Sequence, residues 1–324
     1  MIEEMEKIVI AGGAGFIGSH LCKKLLAQGH TIYCLDNFIS GSKDNIESLM
    51  DNPQFIVIEH DVASPFDVIK ERLQEVNSIF HLASPASPNA LSTRSYINHP
   101  IETMLTNSFG TYNLLTLAKE RNAKFLFAST SEVYGNPSVS PQPETYFGNV
   151  NPNGIRSVYD EGKRFGEALT WAFRRTHGID ARIIRIFNTY GPFMQKDDGR
   201  AVSAFVNQAL TGVPLTIFGN GQQTRSFCYI DDMVDGITKA MLTDKTNGEV
   251  INLGNPDERT IAELATMVQA MVGVSTKIVN EDLPEDDPSQ RRPDITKAQQ
   301  LLGWEPKISL EEGLKKTIEY FRNA

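Results

Sequence analysis

Tyr159 and Lys163, four residues apart in the stretch RSVYDEGKRFGEA (156–168), are the residues whose types and spacing most directly promise chemistry. Positions four apart share one face of a helix, so an ammonium there can lower the pKa of a neighbouring phenol and make it usable as a base. With nine tyrosines in 324 residues, one such spacing arises readily by chance. Its place in the chain gives it weight. ASTSE (128–132) ends the preceding strand candidate, and parallel sheets bind ligands at the carboxyl ends of their strands. Thr130, Ser131, Glu132, Tyr159 and Lys163 are thereby expected in one crevice.

A base of this kind needs a partner, and the N-terminal region offers a place for one. IVIAGGAGFIGSH (8–20) sets Gly12, Gly15 and Gly18 directly after a strand pattern and at the opening of a helix. Glycines there permit a tight turn and close backbone approach to a pyrophosphate, with helix N–H groups aimed at the anion. TIYCLD (31–36) ends a second strand in Asp36, where a carboxylate holds ribose hydroxyls and repels a 2′-phosphate, favouring NAD over NADP. Asp61, after a third strand, reads equally as an adenine contact or as a turn residue. His81, after a fourth, reads as packed beside the crevice.

The elements that must position these groups alternate. KIVIAGG, TIYCLD, FIVIE, SIFHLAS, KFLFAST and ARIIRIFN read as strands, with helices over about 15–28, 101–121 and 156–177. This predicts an α/β protein: a Rossmann-type doubly wound parallel sheet with a smaller α/β C-terminal substrate domain. The expected division is 1–187, joined by about 228–254, for the dinucleotide, and 188–227 with 255–324 for the substrate. A net charge of −9 argues against nucleic-acid and anionic-membrane partners. Cys22, Cys34 and Cys228 are scattered, which predicts reduced thiols and no metal site. The acidic start, MIEEMEK, carries no signal-peptide pattern, so the expected address is the cytoplasm.

Taken together, GGAGFIGSH, ASTSEVYG, YDEGKR, RIFNTYGP, QTRSF and DDPSQRRPDI resemble the extended short-chain dehydrogenase/reductase family over about residues 7 to 322. The likeness is strongest to its branch of NAD-dependent UDP-glucuronate decarboxylases, which form UDP-xylose. It implies that Gly12, Gly15, Phe16, Ile17, Gly18, Asp36, Asn37, Asp61, Val62, Leu82, Ser84 and Thr106 hold NAD, along with Tyr159 and Lys163. Tyr159 is then the base at the C4 hydroxyl, with Lys163 lowering its pKa and Thr130 bonded to the C4 oxygen. Ser131, Glu132 and Arg291 manage the ring and its protonation at C5, while Asn188, Arg200, Arg225 and Arg291 contact the UDP-sugar. A homodimer through the helices near 101–121 and 156–177 is also implied.

Three departures from that branch bear on substrate: Leu105 in place of a lysine, Phe66 and Asp67 in place of Leu-Tyr, and longer loops around 64–76 and 86–100. Arg94, in the second loop, is a candidate replacement cation, with a surface position as the commoner reading for such an arginine. A lost charged hydrogen bond costs on the order of 1.5–3 kcal/mol, enough to change the preferred substrate. A nucleotide-sugar 4,6-dehydratase, a 4-epimerase and a non-catalytic NAD-binding regulator are the competing functions.

Overall fold

The computed structural model describes residues 5–323; residues 1–4, which open the acidic MIEEMEK stretch, and residue 324 lie outside the described residues. Seven strands form one parallel sheet: β1 (Lys7–Ala11), β2 (Thr31–Asp36), β3 (Phe55–Glu59), β4 (Ser78–His81), β5 (Lys124–Thr130), β6 (Ala181–Ile186) and β7 (Val250–Leu253). Their order is β7-β6-β5-β4-β1-β2-β3. Side chains alternate across a strand, so in β1 Ile8 and Ile10 join one core and Val9 and Ala11 the other. Nine helices are seen among the described residues: α1 (Phe16–Ala27), α2 (Pro100–Leu105), α3 (Thr111–Arg121), α4 (Ser157–His177), α5 (Ala201–Thr211), α6 (Ile230–Leu242), α7 (Ile261–Val272), α8 (Thr296–Leu302) and α9 (Leu310–Asn323). Leu21 and Leu25 of α1 cover the first core, Leu114 and Leu115 of α3 the second. Each such burial contributes about 1.5–3 kcal/mol.

The helix expected over 101–121 is interrupted: Thr106–Gly110 is wound as a π-helix between α2 and α3. Polar side chains accompany the insertion. Asn107 Nδ2 donates to the Thr103 carbonyl, Ser108 Oγ to Met104 and Thr111 Oγ1 to Asn107, so carbonyls freed by the wider turn keep partners.

The strand order reverses between β1 and β4, and the crevice at their carboxyl ends is where such sheets take ligands. Beyond β6 the chain builds small sheets instead. One pairs 224–226 with 258–260 and 290–291, and another pairs 215–218 with 278–281. β7 returns to the main sheet beside β6, and Lys24 of α1 bonds Asp235 of α6, so 230–253 packs with the main sheet and α1.

Candidate active site

At the reversal, the turn after β1 meets the turn after β4 backbone to backbone. Gly12 sits at φ +81, and a Cβ there would lie 2.7 Å from the Ala83 nitrogen. A Cβ on Gly18 would stand 2.0 Å from the Gly12 carbonyl, so α1 starts tight against the loop. Gly15 caps α1 with no side-chain bond, which leaves first-turn N–H groups directed at the crevice. Asp36 is buried, and its two oxygens accept from Ala14 N at 2.9 Å and Phe38 N at 2.8 Å. A carboxylate has about four acceptor positions, so each oxygen retains one for a ribose hydroxyl. These residues fit a dinucleotide.

The loop after β5 and the first turns of α4 supply the reactive groups. Thr130 caps the turn Ser131–Tyr134, accepting from Glu132 N, and its side chain bonds the Tyr159 hydroxyl. Lys163 is buried and donates to the Ala128 carbonyl at 2.9 Å, with its Nζ 5.8 Å from the centre of the Tyr159 ring. α4 lies close on β5 because residue 166 is glycine: a Cβ there would stand 2.2 Å from Cζ of Phe127, the ring beneath the Lys163 ammonium. The expected lowering of the phenol is corrected here. Burial pushes Tyr159 up to about 12 despite the Thr130 bond, and burial likewise brings Lys163 down to about 7. Neither charged form is well solvated in this pocket, and the lysine hydrogen-bonds the backbone rather than the phenol oxygen.

Beside the phenol, an ionic chain joins segments far apart in sequence. Arg156 Nη2 donates to Glu132 Oε2 at 2.6 Å, and Arg291 Nη2 reaches the same oxygen at 3.2 Å. Asp287 lies 3.5 Å from Arg156 and accepts from Arg225 at 2.9 Å. Arg291 also donates to the Ser131 carbonyl. Burial alone would raise Glu132, but Arg291 and Arg156 outweigh it and hold the carboxyl down at about 2. Three guanidinium groups against two carboxylates leave the chain suited to an anion.

The structure brings Thr130, Ser131, Glu132, Tyr159, Lys163 and Arg291 together, as expected from sequence. Arg200 is paired with Asp198 by two bonds, Arg225 with Asp287, and Asn188 is half-buried with its carbonyl bonded to Cys228 N. Phe16, Ile17, Asn37, Leu82 and Ser84 are half-buried around the glycine turn, and Val62 and Thr106 are buried. Asp61 Oδ1 accepts from Ala63 N, which is the turn reading. His81 is fully buried, bonded to Thr111 and driven down to about 3 by burial, so it is a packed neutral ring. Leu105 follows Met104 at the end of α2. It is 39% exposed in a stripe with Ile101, Phe109 and Tyr112, on the outward face of these helices.

Sequence reasoning missed Tyr96, Arg156, Asp160 and Asp287. Arg156 and Asp160 stand four apart ahead of Lys163, a helical spacing that could have marked them. Tyr96 could not be found this way: its ring stacks on Tyr159 across 63 residues of chain, with centroids 5.1 Å apart and planes at 6°.

Comparison with known proteins sharpens the picture. The family model described as GDP-mannose 4,6 dehydratase matches residues 9–317. UDP-glucuronic acid decarboxylase 5 of Arabidopsis thaliana is 51% identical over 317 residues, spanning 98% of this chain and 89% of that protein. UDP-glucuronic acid decarboxylase 1 of Xenopus tropicalis is 48% identical, spanning 99% of this chain and 73% of that protein. The solved structure of UDP-glucuronic acid 4-epimerase from Bacillus cereus with UDP-glucuronic acid and NAD aligns at TM-score 0.87 and 33% identity, over 98% of this chain and 99% of that one.

Proposed function

The chain belongs to the GDP-mannose 4,6 dehydratase family, and from that premise we propose that it decarboxylates UDP-glucuronate to UDP-xylose, using NAD. The observation that carries the reading is an identity near one half, along almost the whole chain, with UDP-glucuronic acid decarboxylases. The charge chain around Glu132 suits it, since the substrate bears both a diphosphate and a sugar carboxylate.

Gly12, Gly15, Gly18 and Asp36 hold the dinucleotide. NAD held there would supply a reversible hydride acceptor for C4 of the sugar. Tyr159 takes the C4 hydroxyl proton, with Thr130 fixing its oxygen, and later gives that proton back. A ketone at C4 makes the substrate a β-keto acid, so carbon dioxide leaves with the C5–C6 electron pair passing into an enolate. Arg200 and Arg225 leave Asp198 and Asp287 for the diphosphate, to which guanidinium forks are well matched. Arg291 and Glu132 border the sugar.

The same reading has the protein work as a homodimer in the cytoplasm. Supporting the first is the exposed apolar stripe of Ile101, Leu105, Phe109 and Tyr112, continued by Phe165 of α4. Supporting the second are three free, buried cysteines. No described helix is long and apolar enough to cross a membrane.

Incubation with UDP-glucuronate and NAD tests the function, with carbon dioxide measured and the product identified by NMR. UDP-xylose and carbon dioxide are expected. UDP-galacturonate without carbon dioxide would make the protein a 4-epimerase, the activity of its B. cereus neighbour. A 4-keto-6-deoxy product from a neutral nucleotide hexose would make it a dehydratase. Tyr159→Phe should abolish turnover; intact NAD-dependent partner binding with no turnover by either form would point to a regulator.

A further inference from the structure

Arg291 is a long side chain on a short strand. Its guanidinium donates to the Ser131 carbonyl and to Glu132 Oε2, and its Nε is buried with no partner among the described residues. The strand that carries it, 290–291, pairs over two residues, with Thr224 and Arg225. The aim of the guanidinium therefore depends on how firmly the backbone just beyond Arg291 is held. One residue from a distant part of the chain holds it.

Gln142 is fully buried and bridges the main chain on both sides of Pro293. Its N–H donates to the Arg292 carbonyl at 2.8 Å, and its carbonyl accepts from Asp294 N at 3.0 Å. Pro293 has no N–H to offer. The remaining donor, Arg292 N, is met by the Gln142 side chain, with Oε1 accepting at 2.8 Å. Gln142 Nε2 donates to the Val139 carbonyl at 2.7 Å, so the amide has one orientation, oxygen toward Arg292 and nitrogen toward Val139. The Arg292 side chain turns away to the Pro256 carbonyl, and what Gln142 fixes is the main chain next to Arg291.

Behind this clamp, hydrogen bonds continue to α4. The Gln142 carbonyl also accepts from Asn252 Nδ2 at 3.0 Å. Asn252 Oδ1 accepts from the Tyr134 hydroxyl at 2.8 Å, and that hydroxyl accepts from Arg185 Nη1 at 2.9 Å. Arg185 donates to both oxygens of Glu167, four residues beyond Lys163 on α4. Each member is within hydrogen-bond distance of the next, and the chain ends on the helix that carries Tyr159.

We infer that Gln142 is a positioning residue of the reaction: it fixes the backbone that aims Arg291, and through Asn252, Tyr134, Arg185 and Glu167 it keeps that aim in register with Tyr159. Gln142 acts through Arg291, not on the sugar itself. The inference rests on the decarboxylase reading, in which Arg291 borders the sugar.

A double-mutant cycle tests it. Gln142→Met keeps the length of the side chain and removes both of its hydrogen bonds. With UDP-glucuronate and the NAD-loaded protein, kcat for carbon dioxide release should fall about 10–100-fold, while NAD affinity is unchanged. Arg291→Lys keeps a charge and loses the guanidinium fork; in that background Gln142→Met should cost less than about a further 2-fold, because the group it aims is gone. UDP-glucuronate affinity, by calorimetry, should follow the same pattern and reads the cycle where Arg291→Lys turns over too slowly to follow. Asn252→Ala cuts the clamp from β7 and should show the same dependence on Arg291, which preserves the test if Gln142→Met does not fold. A residue that merely supports the fold would cost the same factor in both backgrounds; that result, or a wild-type kcat in folded Gln142→Met, would overturn the inference and leave the decarboxylase reading standing. Wild-type protein that releases no carbon dioxide would overturn that reading, and the inference with it.

Discussion

Replacing Glu132 with glutamine removes one charge from a cluster in which Arg291 is 1% exposed and has no other carboxylate partner among the described residues. Removing one member of a buried ion pair costs about 3–5 kcal/mol, because the remaining charge is left uncompensated. Here the lower end is expected: Arg156 keeps Asp287 at 3.5 Å, Arg291 keeps the Ser131 carbonyl, and the glutamine oxygen can still accept. The titration of Glu132 leads to the same figure independently. A fall from its ordinary 4.5 to about 2 corresponds to about 3 kcal/mol, at about 1.4 kcal/mol for each tenfold change. The sign follows from linkage. A carboxyl depressed in the folded state stabilises above its unfolded value, and that stabilisation is lost as pH falls from about 4.5 through about 2. Urea unfolding of Glu132→Gln at pH 7 should therefore show a loss of about 3 kcal/mol, and the variant should lack this part of the acid limb. A loss under about 1 kcal/mol at pH 7, with an unchanged acid limb, would refute the reasoning and make the cluster an exposed, screened one.

Two contrasts test other parts of the site. Gly166→Ala sets a methyl 2.2 Å from Phe127 Cζ, whereas at Gly162 the nearest atom is 3.4 Å away. Thermal melts should show Gly166→Ala destabilised by about 1–3 kcal/mol with reduced turnover as the ring beneath Lys163 shifts, and Gly162→Ala close to wild type. Leu105→Lys restores the cation of the resembled branch but places it on the outward stripe. Sedimentation should show a weakened dimer while KM for UDP-glucuronate is unchanged; a lowered KM would return Leu105 to the substrate pocket.

The sheet, the glycine turn and the Tyr159–Lys163 face were legible because each is local: a strand period, a turn requirement, one helical spacing. The π-helical turn at 106–110 was not, since the apolar period of the sequence runs through it unchanged. Asn107, Ser108 and Thr111 hydrogen-bond carbonyls around it, as threonines also do within the regular helices. The ionic chain was hidden for a different reason. Asp287 and Arg291 meet Arg156 and Glu132 only after the 284–294 segment folds back over α4, where Asn151 bonds Asp286 on the way.

That long-range closure sets the protonation of the site. Arg291 and Arg156 hold Glu132 ionised, and burial, followed by the Glu132 charge, pushes the Asp160 carboxyl up to about 8. The spacing of Tyr159 and Lys163 alone suggested a phenol made acidic by its neighbour; the buried pair instead has a raised phenol and a lowered amine. A base of that kind is competent only once the crevice is filled and a ligand supplies the hydrogen bonds that burial has taken away. The pocket is in this way arranged for an anionic sugar nucleotide to complete.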